Sequence, residues 1–410
     1  MRTFSRSQAL FERAKKVLPG GIPGHQDPRL LVRGQSPCFI DRAEGCRFWD
    51  VDGHEYIDYM CAYGPMILGY SHPRVEEAAQ RQRQKGDCFN LPSPLWVELA
   101  EYLVNLIPSA DWALFGKNGS DAVNCAVLIA RAYTGKNKII KAEGTYHGIG
   151  PWCTPNPTGT TEGERANVLT FPFNDIRTLV RLVEENRSDV AGVIITPFKH
   201  EFAHDQEMPS ETFLNGLRQL CSADGPVLIM DDVRAGFRLH MGGSAEYFGL
   251  KPQLSCFSKA MGNGYPISAC LGTRELMKAG KTIFFTGSFF TSAVPMAAAL
   301  ATLMEMNRPG VLDHLFQIGE MLKQGMLKQA ESFGLKIKYT GPVTMPFMTF
   351  KDDHSFEKNK TFCARAYQEG VFFHPSHNWF LSAAHRKEDI EETLEATYQA
   401  FKAVKESFGS

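Results

Sequence analysis

From about residue 95 onward the chain alternates short, unbroken apolar runs with amphipathic helical stretches, and this alternation restricts the available folds more than any other feature. Helical patterns over 95–106 and 120–133 lead to a strand at 138–141 with an apolar centre at Ile139-Ile140. A second run at 191–196 is followed by a helical pattern around 211–221, a third run at 226–231 and a short fourth at 254–256. Strands that are apolar at every position, not every second one, are buried on both faces. That is the signature of an α/β fold with a mostly parallel sheet sandwiched by helices. Ahead of this region, the aromatic and β-branched runs 47–51 and 54–59 meet at Asp52-Gly53, a strong hairpin signal. Beyond Ser292 come two helices, mixed strands at 335–339, 345–350 and 371–373, and a closing helix over 387–404. The expected division is an N-terminal segment over 1–63 that carries the hairpin and joins a small domain, a large domain over 64–306, and a smaller α+β domain over 307–410.

With 410 residues, 43% of them hydrophobic and 22% charged, the chain buries a core large enough for two domains. Its net charge is −1 with both signs interspersed, so nothing in its overall field recruits nucleic acid or an anionic membrane. The N-terminal stretch is charged and amphipathic, without the apolar run of a secretory leader, and no later run reaches membrane length. A soluble, cytoplasmic protein acting on small molecules is expected. The ten cysteines form no C-x-x-C pair and are scattered through apolar segments, which fits reduced thiols in a core.

Four segments carry possible chemistry. The apolar run 227–230 ends in Asp231, Asp232 and Val233. In α/β sheets ligands sit at the carboxyl ends of strands, and a carboxylate there can pair with a protonated pyridine nitrogen, although acidic residues also simply end strands. Lys259 is wedged between the run 254–257 and the glycine-rich turn Gly262-Asn263-Gly264. Desolvation there lowers an amine's pKa and favours the neutral form that attacks carbonyls, while a surface lysine before a turn fits the pattern equally well. Gly119 and Ser120 open the helical pattern 120–133, where free N–H groups and the helix dipole suit a phosphate; Asn118, Ser120 and Asp121 are also ordinary capping residues. Finally, Tyr146 in Gly144-Thr145-Tyr146-His147-Gly148 offers a ring able to stack on a planar cofactor, or to serve the core. His147 has no second ligand at metal-binding spacing, so no metal is expected.

Taken in order, these segments resemble the class III aminotransferases of fold type I, and most closely the branch similar to glutamate-1-semialdehyde 2,1-aminomutase. The resemblance spans nearly the whole chain: Leu18-Pro19-Gly20-Gly21, Trp49-Asp50-Val51-Asp52-Gly53, Gly64-Pro65-Met66-Ile67-Leu68-Gly69, Tyr146-His147-Gly148, Asp231-Asp232-Val233, Gly236-Phe237-Arg238, Ser258-Lys259, and Gly370-Val371 before Pro375-Ser376. It implies pyridoxal 5′-phosphate (PLP) as cofactor, held as a Schiff base by Lys259, which would also act as general base. Asp231 would partner the pyridine nitrogen, Val233 pack against the ring, Tyr146 stack on its other face, and Gly119 and Ser120 hold the phosphate. Ser288 would reach that phosphate from a neighbouring subunit, making the enzyme a homodimer with shared active sites. The implied reaction moves an amino group from an amino donor to a keto or aldehyde acceptor; an aminomutase or racemase would use the same Lys259 and Asp231.

Three departures from the family pattern bear on the exact reaction. The usual Asp-Glu-Val is Asp231-Asp232-Val233, and the usual Glu-Pro is Thr196-Pro197, followed by Phe198, Lys199 and His200. The glutamate that aminomutases carry shortly after Pro-Ser is missing from 377–380, which favours intermolecular transamination. For the substrate, Arg29 is the candidate carboxylate ligand and Tyr63 a candidate pocket wall.

Overall fold

The computed structural model describes residues 2–222 and 225–409. Met1 and Ser410, the outermost residues of the two terminal segments, lie outside the described residues. In chain order the strands are β1 (Ile40–Glu44), β2 (Arg47–Asp50), β3 (Glu55–Asp58), β4 (Trp112–Gly116), β5 (Lys138–Ala142), β6 (Val168–Phe171), β7 (Val190–Ile195), β8 (Val227–Asp231), β9 (Leu254–Phe257), β10 (Ser268–Gly272), β11 (Ile337–Thr340), β12 (Phe347–Phe350) and β13 (Val371–Phe372). The chain separates into two compact units.

The larger unit, Pro73–Glu201 with Glu207–Leu312, is built on a sheet of order β4-β10-β9-β8-β7-β5-β6 among the described residues. From β9 through β6 neighbouring strands run parallel, whereas β10 runs antiparallel to both β9 and β4. The sheet is therefore parallel across its centre and mixed at one edge. Strands β4, β6 and β10 escape the sequence pattern: β10 reads Ser-Ala-Cys-Leu-Gly, small residues of weak β preference, and β4 and β6 are only partly buried. Every residue of β7, β8 and β9 is buried, and their side chains divide between two cores. Ile139, Ile194 and Ile229 pack with the small apolar face of the helix Gly119–Thr134, namely Ala122, Ala126 and Ala130. Ile140, Val193, Leu228 and Met230 point to the opposite face, against Leu179 and Val183 of Ile176–Glu185 and Phe213 and Leu217 of Glu211–Leu220. The two-residue period of a strand thus feeds two helical layers.

The smaller unit gathers Met1–His72, Phe202–Gln206 and Asp313–Ser410. Its hairpin joins β2 to β3 at Gly53, whose φ of +91° suits only glycine, and the Asp50 carboxylate accepts the His54 backbone N–H at 2.8 Å to close the turn. The sheet order β1-β2-β3-β13 adds β13 parallel to β3, so the two ends of the sequence share one sheet. The chain crosses between units after residues 72 and 312, not after 63 and 306. Residues 64–72 stay with the smaller unit because Ala383 N–H donates to Ile67 O at 2.7 Å and Tyr70 exchanges backbone hydrogen bonds with Gly45 at 2.7 and 3.0 Å. Phe202–Gln206 is held there too: Ala203 N–H donates to Ser376 O at 2.8 Å, and Asp205 pairs with Lys338 at 2.6 Å.

All ten cysteines are free thiols. No helix among the described residues is long and apolar enough to cross a membrane.

Candidate active site

The parallel centre of the larger unit's sheet brings the carboxyl ends of β5, β7, β8 and β9 side by side. Asp231, the last residue of β8, is 5% exposed. Its Oδ2 lies 2.7 Å from His147 Nδ1, while Oδ1 accepts the Val233 backbone N–H at 3.2 Å. His147 follows β5 and is buried; its Nε2 lies 3.0 Å from Thr145 Oγ1, which donates to Ala142 O at 2.6 Å. The threonine hydroxyl has one hydrogen, and it is directed to the carbonyl. His147 is thus held between the Thr145 hydroxyl at Nε2 and the Asp231 carboxylate at Nδ1. This chain of bonds fixes the carboxylate's orientation and charge environment at the strand end.

Lys259 begins just past β9 in the left-handed backbone region, with φ of +45°. A non-glycine residue there costs of order 1–3 kcal/mol, and such strain collects at functional sites. Burial pushes its amine down to about 7, with the Arg234 charge pushing the same way and Asp231 opposing. Lys259 is thus poised between amine and ammonium near neutral pH, which the sequence position between strand and glycine turn anticipated. Arg234 is itself pulled down to about 10 by burial, opposed by Asp231 and Tyr146. It sits inside the Asp231–Arg238 segment, but an arginine among small and apolar residues gives no local signal of its role. Next to Asp231, burial lifts the Asp232 carboxyl to about 6, partly offset by Ser244, whose N–H and Oγ donate to it at 2.6 and 2.5 Å.

Gly119 and Ser120 start the helix Gly119–Thr134, where Asp121 accepts the backbone N–H groups of Lys117 and Asn118 at 2.9 and 2.8 Å. A Cβ on Gly119 would lie 2.5 Å from Val233 Cγ1, so the helix start and the residue after the β8 carboxylates lie against each other. Ser120 Oγ accepts the Ile149 N–H at 3.2 Å and also lies where a Cβ on Gly148 would sit, docking the Tyr146 loop onto the same helix end. Tyr146 stays 39% exposed, its ring face not consumed by the core. Replacing Gly119 with alanine is expected to destabilise the apoprotein by about 1–3 kcal/mol through overpacking, and Val233→Ala in the same chain to recover much of the loss; thermal melts of the two variants check this.

The structure thus gathers Lys259, Asp231, Tyr146, Val233, Gly119 and Ser120 around one end of the large sheet. Ser288 lies in an exposed segment of the same unit beside Phe284 and Phe289, which are 91% and 66% exposed. Arg29 and Tyr63 belong to the smaller unit. The Arg29 guanidinium is engaged by Asp27, with Nε 2.9 Å from both carboxylate oxygens and Nη2 2.6 Å from Oδ2. Tyr63, at the end of three successive left-handed residues, donates its hydroxyl to His25 O and packs edge-on against His25 and His377. Among the described residues no group of three or more His, Cys, Asp or Glu could hold a metal ion.

Comparison with known proteins gives this arrangement its context. The family described as aminotransferase class-III matches residues 31–401. The chain is 45% identical to the aminopentol aminotransferase of Sphingopyxis macrogoltabida, over 100% of this chain and 97% of that one. It is 37% identical to the 3-aminobutyryl-CoA aminotransferase of Cloacimonas acidaminovorans, covering 98% of each. The FumI protein of Sphingopyxis sp. MTA144, solved in its PLP internal aldimine form, superposes with a TM-score of 0.97 at 45% identity, covering 99% of this chain and 98% of that one. With a fold type I architecture and a family match across most of its length, the chain belongs to the class III aminotransferases, enzymes whose cofactor is PLP.

Proposed function

We propose that the Lys259–Asp231 site binds PLP and transfers the amino group of an amine without a free carboxylate to a carbonyl acceptor. The residues fit that cofactor. Asp231, held by His147, keeps a buried negative charge suited to a protonated ring nitrogen. The exposed Tyr146 ring and Val233 supply faces for a planar ring, and the N–H groups at Gly119 and Ser120 suit a phosphate. PLP, when bound, supplies an electron-accepting ring that weakens the bonds at the substrate's amine-bearing carbon. Lys259 Nζ, largely neutral just above pH 7, would hold the cofactor and would serve as the base that takes up a proton from the substrate's amine-bearing carbon. The observation that carries this reading is a lysine amine at about 7 beside a carboxylate locked by a buried histidine.

The substrate class rests on Arg29. Asp27 takes Nε and Nη2 of the guanidinium and compensates its charge, which weakens Arg29 as a clamp for a second carboxylate. The substrates in the names of the two curated relatives, an aminopentol and 3-aminobutyryl-CoA, likewise carry no free carboxylate. Exposed Phe284 and Phe289 flanking Ser288 support a homodimer in which Ser288 serves the partner's phosphate site. The test is the visible spectrum of the PLP-loaded protein with single amines and amino acids, the carbonyl product being assayed. Bleaching of the yellow form with stoichiometric carbonyl product from hydroxylated or aliphatic amines, faster than from α-amino acids, is expected. Faster bleaching by α-amino acids would overturn the substrate class, and isomerisation without net carbonyl release would favour an aminomutase or racemase.

A further inference from the structure

His200 is a buried polar side chain to which none of these roles gives a use. It lies five residues beyond the end of β7, the strand between β5 and β8, at the point where this chain departs from the family's Glu-Pro pattern. Only 6% of the residue is exposed, and its Nδ1 has no hydrogen-bond partner. The Phe198 ring packs edge-on against the imidazole at 5.5 Å. Burial pushes the ring well down from the usual imidazole range, the Arg234 charge acts the same way, and the residue's own backbone partly opposes them. A buried, unbonded ring nitrogen costs stability, and native structures keep such groups where something else completes the bond.

We propose that His200 is a ligand-binding residue of the active site whose ring nitrogen hydrogen-bonds an oxygen atom of the bound cofactor or of the amine substrate. The inference rests on the reading of the Lys259–Asp231 site as the PLP site. Electrostatics selects oxygen. Arg234, the standing cation that bears on His200, would repel an ammonium but draw an oxygen acceptor, and the neutral imidazole adds one further N–H. Neutrality also matters, because a charged imidazole beside Arg234 would add a second cation at this point.

The test compares His200→Phe and His200→Gln with the parent. Apoprotein melting, the Kd for PLP from titration of the visible absorbance, and the KM for the amine are measured separately. His200→Phe removes the unbonded nitrogen, so its apoprotein is expected to melt higher than the parent's, while one binding constant weakens about tenfold, the effect of a single hydrogen bond. His200→Gln, which keeps a donor, is expected to recover part of that loss. A weaker Kd with unchanged KM assigns the oxygen to the cofactor, and an unchanged Kd with raised KM assigns it to the substrate. If the phenylalanine apoprotein melts lower and both constants stay at parental values, His200 is a packing residue and the proposal fails. Should His200→Phe not fold, parental constants in His200→Gln would overturn the proposal and weakened ones would support it. A parent protein that takes up no PLP would instead remove the underlying site reading.

Discussion

Lys259→Ala is expected to lower kcat/KM by more than about 10³-fold while leaving the fold intact, because it deletes both the attachment amine and the group that moves the proton. Circular dichroism and the visible spectrum separate the two effects: an ordered protein that no longer forms a lysine-linked yellow species is the expected result, and retained turnover would take Lys259 out of the mechanism. The same residue makes a stability prediction with a definite sign. In the unfolded chain its amine titrates near the ordinary lysine value of 10.5, and in the folded apoprotein at about 7. Between those values the unfolded chain holds a proton that the folded one does not, so this group makes the parent's stability rise with pH across the window. Lys259→Met, which keeps the side-chain length without the amine, lacks that rise. The variant apoprotein is expected to be the more stable at about pH 7, with the gap narrowing by about pH 9 in urea unfolding. A gap that widens with pH would show that Lys259 is not held neutral by the fold.

Asp231→Asn is the second large effect. The substitution keeps the shape of the side chain and removes its charge, so the ring nitrogen loses its counter-ion and the contact to His147 Nδ1 loses its carboxylate. A fall in kcat of about 10²–10³-fold is expected, the usual consequence of removing one preorganised charge from the reacting centre. PLP affinity is expected to drop with it. Because His147 touches the same carboxylate oxygen, His147→Asn combined with Asp231→Asn is expected to cost much less than the two single losses multiplied. Turnover within threefold of the parent in Asp231→Asn, or fully multiplicative effects in the double variant, would contradict the pairing at 2.7 Å as a working unit.

Much of this was present in the order of residues. Apolar runs predicted β7, β8 and β9, because strands buried on both faces admit no polar alternation, while β5 was marked by Ile139-Ile140 between two lysines. Asp52-Gly53 predicted the hairpin, since a turn with φ of +91° calls for glycine. Strands β4, β6 and β10 were not legible: edge strands and small-residue strands lack the periodicity that marks a buried one, and pairing with β4 and β9 on either side makes Ser268–Gly272 a strand. The candidate residues Lys259, Asp231, Tyr146, Gly119 and Ser120 were readable as motifs, each at the end of a strand or the start of a helix where polar groups must be placed.

What local sequence does not specify is which partner each polar group meets. That His147 locks Asp231, that Val233 presses on Gly119 and that His200 is left buried with an unbonded nitrogen all depend on chain segments brought together by the fold, whereas the Asp27–Arg29 pair is local to one turn. The sequence by itself determined the alternation of strand and helix and the ends at which chemistry collects, because periodicity and burial are short-range properties. The tertiary structure alone decided charge state and hydrogen-bond partnership, because desolvation and Coulomb interaction depend on what lies nearby in space and not on what lies nearby in the chain.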